Sequence, residues 1–343
     1  MLMKLFDLYT RTPLLRNSKQ FFFIICGLLA AGKVSSQSLA GVTMTLDTSF
    51  TTNSAYENTK KTHPYSKIVK EFSFKSVKEK KNITYCKVGN RALKLDVFYN
   101  IEKEKSPRTA IIIIHGGGWR SGSRTQHYPL AQKLAHLGYV CFTPEYRLST
   151  EALFPAGIYD VKSSIRWVRE NASKYNVNPN QIVILGFSAG GEIASFMGTT
   201  GNMPLFEGTD CTTNIRSDVN AVVDIDGTLS FVHPNGQEGD DSKRTSAATN
   251  WFGYSKKENP KLWEAASPLS YVSAKTPPTL FINSSIPRMH AGREDYIKVL
   301  NNSHVYSEVH TFEGSPHSFC LFDPWFDPTV NYINNFLNTI FNK

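Results

Sequence analysis

Gln181-Ile-Val-Ile-Leu-Gly-Phe-Ser-Ala-Gly-Gly-Glu-Ile-Ala-Ser-Phe-Met197 is the segment from which the architecture of this chain can be worked out. Residues 181–185 predict a short buried strand, and residues 191–197 predict the start of a helix. Between them lies a G-x-S-x-G pattern at residues 186–190. Its two glycines let the backbone turn sharply and approach neighbouring strands. The pattern therefore predicts that Ser188 stands exposed above the edge of a sheet.

A second glycine-rich segment, His115-Gly-Gly-Gly-Trp119, directly follows Ala110-Ile-Ile-Ile-Ile114. Four consecutive isoleucines bounded by glycines predict a strand buried on both faces, as in a parallel sheet. Three glycines leave their N–H groups unshielded, so these groups can point at a ligand oxygen. Together with the N–H of the residue after a nucleophile, such a loop forms an oxyanion hole. We predict that Gly117, Gly118 and Ala189 form it here.

Strand-like and helix-like segments alternate along residues 82–343. Residues 83–88 and 93–99 predict an antiparallel hairpin at a sheet edge. The further predicted strands are 110–114, 139–143, 181–185, 221–225, 279–283 and 306–312, and the predicted helices are 126–137, 159–175, 189–199, 291–300 and 329–341. This alternation predicts an α/β fold with a mostly parallel central sheet flanked by helices. Residues 227–277 lack strong periodicity and predict a lid or short helices over the site.

The first 40 residues predict an export signal rather than part of the fold. Four basic residues precede the apolar run Phe21-Phe-Phe-Ile-Ile-Cys-Gly-Leu-Leu-Ala-Ala31, which is short for a membrane span. Ser38-Leu-Ala40 offers a cleavage site, although Ser36 or Ser38 also fits, and an uncleaved membrane anchor is the alternative. We predict an exported domain, periplasmic or secreted, without stable membrane insertion after cleavage. Residues 41–81 predict a linker with an irregular lead-in.

Charge and cysteine content narrow the partner classes. The chain has a formal net charge of +9; residues 1–40 carry five basic and one acidic side chain, which leaves +5 for the remainder. The sequence has no stripe of basic residues with interleaved aromatics of the kind that binds nucleic acids. An acidic polysaccharide is therefore the more natural partner. The cysteines Cys86, Cys141, Cys211 and Cys320 fit no zinc pattern and allow one or two disulfides. Cys141 lies in a predicted core strand and fits a buried thiol.

A serine hydroxyl is a poor nucleophile until a base takes its proton. The order serine, acid, histidine places that base near the C-terminus, after the last strand. His317, in Glu313-Gly-Ser-Pro-His-Ser-Phe319, meets this requirement. His310 lies inside the preceding predicted strand and is interpreted as structural.

The carboxylate partner of His317 is the open position of the predicted site. The loop after residues 279–283 has Ile286 and Pro287 where an aspartate is expected. Asp226 ranks first as the replacement because it ends a predicted strand at the carboxyl edge of the sheet. Asp224, one step deeper on the same face, remains a candidate, as do Glu294 and Asp295 in the next predicted helix. Without any acid, a Ser–His pair would still work, but more slowly.

Charged and aromatic residues near the predicted site are candidates for substrate binding. Trp119 and Arg120 end the glycine loop, and Arg288, His290 and Arg293 lie in the loop that lacks its acid. Guanidinium groups bind carboxylates through two parallel hydrogen bonds. We therefore predict that one or more of these arginines bind the carboxylate of a uronic acid in the substrate. Glu192, just after the G-x-S-x-G pattern, is interpreted as a residue that stabilises the first helical turn. The alternative is a carboxylate that orients His115 or a substrate group.

The two glycine motifs give the chain a family resemblance. Over about residues 82–343 the chain resembles the α/β-hydrolase carboxylesterases related to hormone-sensitive lipase. Phe281-Ile-Asn-Ser-Ser-Ile-Pro-Arg-Met-His-Ala-Gly-Arg293 and Pro316-His-Ser-Phe-Cys-Leu-Phe-Asp-Pro-Trp-Phe326 are similar to exported carbohydrate esterases of gut bacteria, a group that includes pectin methylesterases. This resemblance implies the α/β-hydrolase fold and a catalytic domain over residues 82–343.

The same resemblance implies a function and a mechanism. The implied substrate is a methyl ester of galacturonate in pectin or rhamnogalacturonan, with no metal or other cofactor. Ser188 would attack the ester, His317 would take its proton and Asp226 would stabilise the imidazolium. Two alternatives stay open, namely an acetyl or feruloyl esterase acting on pectin or xylan and a catalytically inactive α/β-hydrolase that serves as a binding module.

Overall fold

The computed structural model describes residues 41–102, 106–201, 203–211 and 214–341 of the chain. The predicted export signal at residues 1–40 lies outside these described residues. Within the described ranges, no helix has the length and apolar character needed to cross a membrane.

An eight-stranded sheet forms the centre of the described part of the chain. Its strands are β2 (Val77–Val88), β3 (Arg91–Asn100), β4 (Arg108–Ile114), β5 (Val140–Pro144), β6 (Val177–Phe187), β7 (Ala221–Ile225), β8 (Thr279–Ser284) and β9 (Ser307–Phe312), whereas β1 (Lys67–Ile68) pairs separately with β10 (Phe322–Asp323). The strand order is β2-β3-β5-β4-β6-β7-β8-β9. The pairs β2–β3 and β3–β5 are antiparallel, and the remaining neighbours in this sheet are parallel. The predicted mostly parallel sheet with an antiparallel edge hairpin is confirmed.

Helices cover both faces of the sheet. They are α1 (Thr52–Thr59), α2 (Tyr128–Leu137), α3 (Ala156–Glu170), α4 (Ala189–Thr199), α5 (Ala247–Phe252), α6 (Pro260–Ala265), α7 (Arg293–Asn302) and α8 (Phe326–Phe341). Short 3₁₀ turns occupy Arg124–His127, Ser173–Tyr175, Pro204–Phe206, Pro268–Ser270, Pro287–His290 and Phe319–Leu321. Residues 227–277 contain α5, α6 and one of these turns, so the predicted short helices in this segment are confirmed.

The isoleucine strand β4 separates two hydrophobic cores. Ile112 and Ile114 belong to the core that includes the apolar faces of α3 and α4. Ile111 and Ile113 belong to the core that includes α2 and α8. Because side chains alternate across a strand, a continuous apolar run fills both layers at once. This central position places the loops after β4, β6 and β7 side by side at one edge of the sheet.

The predicted helix bounds differ from the structure at several ends. The helix predicted at 126–137 begins as a 3₁₀ turn and becomes α-helical at Tyr128. The helix predicted at 159–175 starts earlier, at Ala156, ends at Glu170, and is followed by a separate 3₁₀ turn. The helix predicted at 291–300 starts at Arg293. Apolar periodicity identifies the buried face of a helix but not the caps that end it.

The interpretation of residues 41–81 as a linker is wrong, because this segment packs on the sheet domain. It contains α1, which is capped by a reciprocal hydrogen-bond pair between Thr51 and Ser54. Ala55 is buried in the core beside α2 and α8. Strand β1 pairs with β10, close to the C-terminal helix. The segment therefore belongs to the folded domain, and residue 82 is not its boundary.

Cys86 and Cys211 form a disulfide that ties β2 to the segment after α4. Cys141 and Cys320 are free and buried. The interpretation of Cys141 as a buried thiol is confirmed, and burial raises its pKa well above the usual range of a thiol. One of the two disulfides that the sequence allows is thus present in the described residues.

Reduction of the Cys86–Cys211 bond is expected to lower the free energy of unfolding by about 2–5 kcal/mol. The bond joins residues separated by 125 positions, so it restricts a long loop in the unfolded chain. Urea denaturation with and without a phosphine reductant measures the effect. A variant with serine at both positions should respond identically in the two conditions. An unchanged midpoint for the wild type with both thiols shown to be free would contradict the expectation.

Candidate active site

Ser188 lies at a sharp turn between β6 and α4. Its backbone has φ 56° and ψ −120°, a conformation that few non-glycine residues adopt. Its N–H donates to the Ile225 carbonyl oxygen at 2.8 Å, which fixes the turn against β7. A Cβ on Gly186 would lie 1.9 Å from the Gly190 oxygen, and one on Gly190 would lie 2.2 Å from the Ile114 oxygen. Both positions therefore require glycine, as the sequence pattern predicts.

The structure brings Ser188, His317 and Asp226 into one hydrogen-bonded chain. His317 Nε2 lies 2.8 Å from Ser188 Oγ, and His317 Nδ1 lies 2.8 Å from Asp226 Oδ2. The imidazole also packs on Phe187, with ring centroids 4.9 Å apart. A carboxylate only accepts hydrogen bonds, so Nδ1 carries the proton toward Asp226 and Nε2 is free to accept from the serine hydroxyl. This arrangement suits a serine activated by a general base.

One backbone N–H and one side-chain amide hold the carboxylate of Asp226. Its Oδ1 accepts from Ser284 N at 2.8 Å and from Asn283 Nδ2 at 3.4 Å, and its side chain is fully buried. Asp226 has φ 54°, so the chain turns sharply where β7 ends. Asn283 and Ser284 end β8, the strand after which the acid was expected. Strand β8 thus supplies donors, while the acid itself directly follows the neighbouring strand β7.

In the described part of the chain, the other three candidate carboxylates form no hydrogen bond or ion pair with His317. Asp224 accepts from Ser195 Oγ and from Gly227 N, each at 2.6 Å, and burial raises its pKa to about 7. Asp224 therefore anchors the turn after β7 to helix α4. Glu294 pairs with Arg293 at 2.6 Å, and Asp295 lies 3.4 Å from His233 Nε2. Both of these carboxylates project into solvent from α7.

The glycine loop after β4 is fixed from several sides. Gly116 N donates to Gln126 Oε1 at 2.8 Å, and Ser149 N donates to the Trp119 carbonyl oxygen at 2.7 Å. Gly117 has φ 127°, and a Cβ there would lie 2.2 Å from the Ser121 oxygen. Across the ranges that the structure describes, the N–H groups of Gly117, Gly118 and Ala189 donate no hydrogen bond to a protein acceptor. These N–H groups remain available to a ligand oxygen.

His115 supports this loop as a neutral, buried ring. Its Nδ1 donates to the Gly116 oxygen at 2.9 Å, and its ring stacks on Tyr146 at 4.6 Å. The Tyr146 hydroxyl donates to the His115 carbonyl oxygen at 3.0 Å. Burial lowers the pKa of His115 to about 4, so the ring is uncharged at neutral pH. His115 therefore has a scaffold role.

Two residues predicted to bind substrate are engaged elsewhere. Trp119 is only 4% exposed and stacks on Trp251 at 4.9 Å, so it is a core residue rather than a substrate contact. Arg120 donates to Asp47 Oδ2 at 2.8 Å and to the Gly41 oxygen at 3.2 Å. Its guanidinium therefore holds the lead-in segment. The partners of Trp119 and Arg120 lie far away in the sequence, so the local sequence pattern did not reveal these contacts.

Arg288, His290 and Arg293 lie on the β8–α7 connection, as predicted, but their environments differ. Arg293 donates to Asn283 Oδ1 at 2.6 Å and so supports the residue that contacts Asp226. His290 lines a cavity of about 390 Å³ together with Arg293 and with His233 and Asn235 from the segment after β7. Arg288 is 44% exposed and lies 3.8 Å from Glu238, too far for a close ion pair. Of the three side chains, Arg288 is the one least restrained by contacts with the protein.

Sequence reasoning missed the residues that hold this site in place. Asn283 and Ser284 fix Asp226, and Gln126 fixes the glycine loop. The position of Asn283 and Ser284 at the end of a central strand was an available signal. Glu192 is fully buried and bound to Trp119, so neither interpretation of it as a first-turn residue or as a partner of His115 describes its contact.

Comparisons with known proteins agree with this architecture. Esterase LipC of Mycobacterium tuberculosis is 30% identical over 267 residues, covering 72% of this chain and 62% of LipC. Esterase LipQ of the same organism is 31% identical over 198 residues, covering 55% of this chain and 45% of LipQ. The chain thus spans about half the length of the curated relatives it matches.

Solved structures show the same fold. Esterase 2 of Thermogutta terrifontis is 25% identical, with a TM-score of 0.63 over 79% of this chain and 97% of that chain. A truncated carbohydrate esterase from gut microbiota is 24% identical, with a TM-score of 0.64 over 78% of this chain and all of that chain. At 24% identity, the second likeness concerns the fold alone.

The BD-FAE family model matches residues 95–288, which include the glycine loop, Ser188 and Asp226. This match covers more than half of the chain. The sheet order and the flanking helices are those of the α/β-hydrolase fold. The chain belongs to the BD-FAE family, and it has the α/β-hydrolase fold.

Proposed function

We propose that this chain hydrolyses carboxylic esters, with Ser188 as nucleophile, His317 as general base and Asp226 as the carboxylate partner of His317. The observation that carries the proposal is the hydrogen-bonded chain from Ser188 Oγ through His317 to Asp226, with both contacts at 2.8 Å. The relatives named as esterases support the same chemistry. An inactive binding module would not require this alignment of three polar side chains.

The first step forms an acyl-enzyme. Ser188 Oγ attacks the ester carbonyl carbon while His317 Nε2 takes the hydroxyl proton, and the carbonyl electron pair moves onto its oxygen. Collapse of this tetrahedral intermediate breaks the bond to the alcohol. The leaving alcohol takes the proton from His317 Nε2. Asp226 stabilises the transient imidazolium through Nδ1.

The second step repeats this chemistry with water. His317 takes a proton from water, whose oxygen attacks the acyl carbon, and the proton then returns to Ser188 Oγ as the acid departs. In both steps negative charge develops on the former carbonyl oxygen. The N–H groups of Gly117, Gly118 and Ala189 are the donors proposed to stabilise it. Loss of one such donor costs about 10²–10³ in kcat in serine hydrolases.

The substrate we propose is a methyl ester of galacturonate in pectin or rhamnogalacturonan, encountered outside the cytoplasm. The Cys86–Cys211 disulfide supports an oxidising compartment, because such bonds persist in exported proteins. The half-exposed Arg288 on the β8–α7 connection supports recognition of a neighbouring uronate carboxylate. The sequence resemblance to exported carbohydrate esterases points to the same substrate class.

Product analysis tests the substrate proposal. Plant pectin and feruloylated, acetylated xylan are incubated with the enzyme, and methanol, acetate and ferulate are quantified, with the Ser188→Ala variant as blank. We expect methanol from pectin to exceed the other two products. Acetate or ferulate as the dominant product would replace the methylesterase proposal with the corresponding esterase. Absence of all three products, together with no hydrolysis of an aryl acetate, would contradict the esterase proposal itself.

Replacement of Arg288 with glutamine is expected to raise KM for methyl-esterified oligogalacturonides about tenfold, the equivalent of ~1.4 kcal/mol. The reason is loss of a charge-assisted hydrogen bond to a uronate beside the reacting ester. The value of kcat, and all parameters on a neutral aryl acetate, should stay close to those of the wild type. Initial-rate kinetics on both substrates measure the difference.

Arg216→Gln is the matched control for this substitution. Arg216 is also 44% exposed, but it precedes β7 at the opposite edge of the sheet from Ser188. It should leave KM unchanged on both substrates. If Arg288→Gln raises KM equally on the charged and the neutral substrate, recognition of uronate by Arg288 is refuted.

A further inference from the structure

Glu192 is a buried carboxyl group next to the nucleophile turn. It lies four residues after Ser188 on α4 and is fully buried. Its Oε2 accepts from Trp119 Nε1 at 2.9 Å, and its Oε1 has no hydrogen-bond partner in the described part of the chain. Burying an unpaired carboxylate is costly, so burial raises the pKa of Glu192 well above its usual range. Its carboxyl oxygen is therefore an acceptor held by the indole alone among the described side chains.

Trp119 connects this acceptor to the glycine loop. It directly follows Gly118 and has φ 56°, a backbone conformation that tryptophan rarely adopts. Its ring is nearly parallel to Trp251, with an interplanar angle of 8°, and lies 5.3 Å from Phe231. Stacking fixes the plane of the indole but permits it to slide within that plane. The hydrogen bond to Glu192 removes this remaining freedom.

The backbone of Glu192 is fixed to the nucleophile turn. Its N–H donates to the Ser188 carbonyl oxygen at 3.0 Å. A Cβ added to Gly227 would lie 2.4 Å from Glu192 N, so the turn that follows Asp226 packs closely on the same residue. The side chain of Glu192 thus spans from the helix that carries Ser188 to the loop that carries the oxyanion donors.

We propose that Glu192 is a positioning residue for the oxyanion hole, because through Trp119 it holds the N–H groups of Gly117 and Gly118 at a fixed distance from Ser188. This inference rests on the proposed esterase function. It predicts an effect on transition-state stabilisation rather than on substrate binding, since Glu192 is fully buried.

The Glu192→Met variant removes the acceptor while keeping a side chain of similar length. We expect kcat on p-nitrophenyl acetate to fall about 10²-fold, as for loss of one oxyanion donor, with KM nearly unchanged. Glu192→Gln keeps an acceptor for the indole and should recover most of this loss. Glu170→Met, at an exposed glutamate that ends α3, controls for the substitution type and should leave kcat unaltered.

A second readout separates positioning from general destabilisation. A trifluoromethyl ketone forms a hemiketal whose oxyanion occupies the same hole, so its affinity should fall in the same proportion as kcat/KM. Trp119→Phe keeps the ring stack but removes the N–H donor, and it should reproduce the loss in kcat. Combining Trp119→Phe with Glu192→Met should cause no further loss, because both remove one interaction.

Several results would overturn the positioning role. These are an unchanged kcat in folded Glu192→Met or Trp119→Phe, a loss confined to KM, or a ketone affinity that does not follow kcat/KM. If Glu192→Met fails to fold, Trp119→Phe decides the question. Equal losses in Glu192→Gln and Glu192→Met would also refute the hydrogen bond as the cause. An inactive wild type would instead refute the esterase proposal, and this inference with it.

Discussion

Replacement of Asp226 with asparagine is expected to lower kcat on an aryl acetate roughly 10⁴-fold, the loss typical of a serine hydrolase with an amide in place of its acid. The amide oxygen would still accept from Ser284 N, which leaves the amide nitrogen facing His317 Nδ1. Nδ1 must then accept, so its proton moves to Nε2. In that tautomer Nε2 no longer accepts the Ser188 proton. Steady-state kinetics at neutral pH measure the loss.

Asp224→Asn is the control for that substitution. Asp224 accepts from Gly227 N and Ser195 Oγ, and burial raises its pKa to about 7. An asparagine can accept from the first and donate to the second, so it mimics the protonated acid. Its kcat should stay within about tenfold of the wild type, or ~1.4 kcal/mol. A large loss in Asp224→Asn with an active Asp226→Asn would reverse the assignment of the acid.

Ser188→Ala is expected to lower kcat about 10⁶-fold, as when the nucleophile of a serine hydrolase is removed. No other hydroxyl lies within hydrogen-bond reach of His317 Nε2 among the described contacts, so no substitute nucleophile is in place. Residual turnover would come from the oxyanion hole acting on a water molecule. Kinetics with a sensitive aryl ester, on protein purified free of host esterases, measure this remaining turnover.

Ser164→Ala is the matched control for the nucleophile. Ser164 is buried on α3, and its hydroxyl donates to the Val161 oxygen, away from His317. It should retain nearly full activity and show that loss of a buried hydroxyl is not itself damaging. Activity of Ser188→Ala above about a hundredth of wild type would contradict a covalent mechanism at this serine.

The central strands and the nucleophile turn could be predicted because their physics is local. The four isoleucines in Ala110–Ile114 predict a strand that is buried on both faces. The turn at Ser188 needs two glycines, because a side chain at either position would clash with the backbone. His317 followed from chain order alone. These elements need only a few consecutive residues to specify them, and their positions agree with the structure.

The carboxylate partner of His317 is the part of the site that the local sequence pattern could not assign. In the sequence, the two-residue period of a strand assigns Asp224 and Asp226 to one face, so the pattern ranks them but does not separate their roles. What separates them is the turn at Asp226, with φ 54°, and the donors that reach it from the end of β8. Those donors come from residues 57 and 58 positions later in the chain.

Long-range partners explain the other differences between the prediction and the structure. Trp119 stacks on Trp251, and Arg120 pairs with Asp47 in a segment interpreted as a linker. Helix α1 escaped prediction because its eight residues carry little apolar periodicity and begin at a Thr51–Ser54 cap rather than at a glutamate-containing one. In each case tertiary contacts, rather than neighbours in sequence, decide the environment.

The most direct test of the central claim, that Ser188 is a nucleophile activated by His317 and Asp226, is covalent labelling with a fluorophosphonate followed by peptide mapping. The account predicts one adduct per chain, located on Ser188, with labelling strongly slowed in Asp226→Asn and unaltered in Ser164→Ala. A folded wild type that acquires no adduct, or an adduct on a different residue, would contradict it.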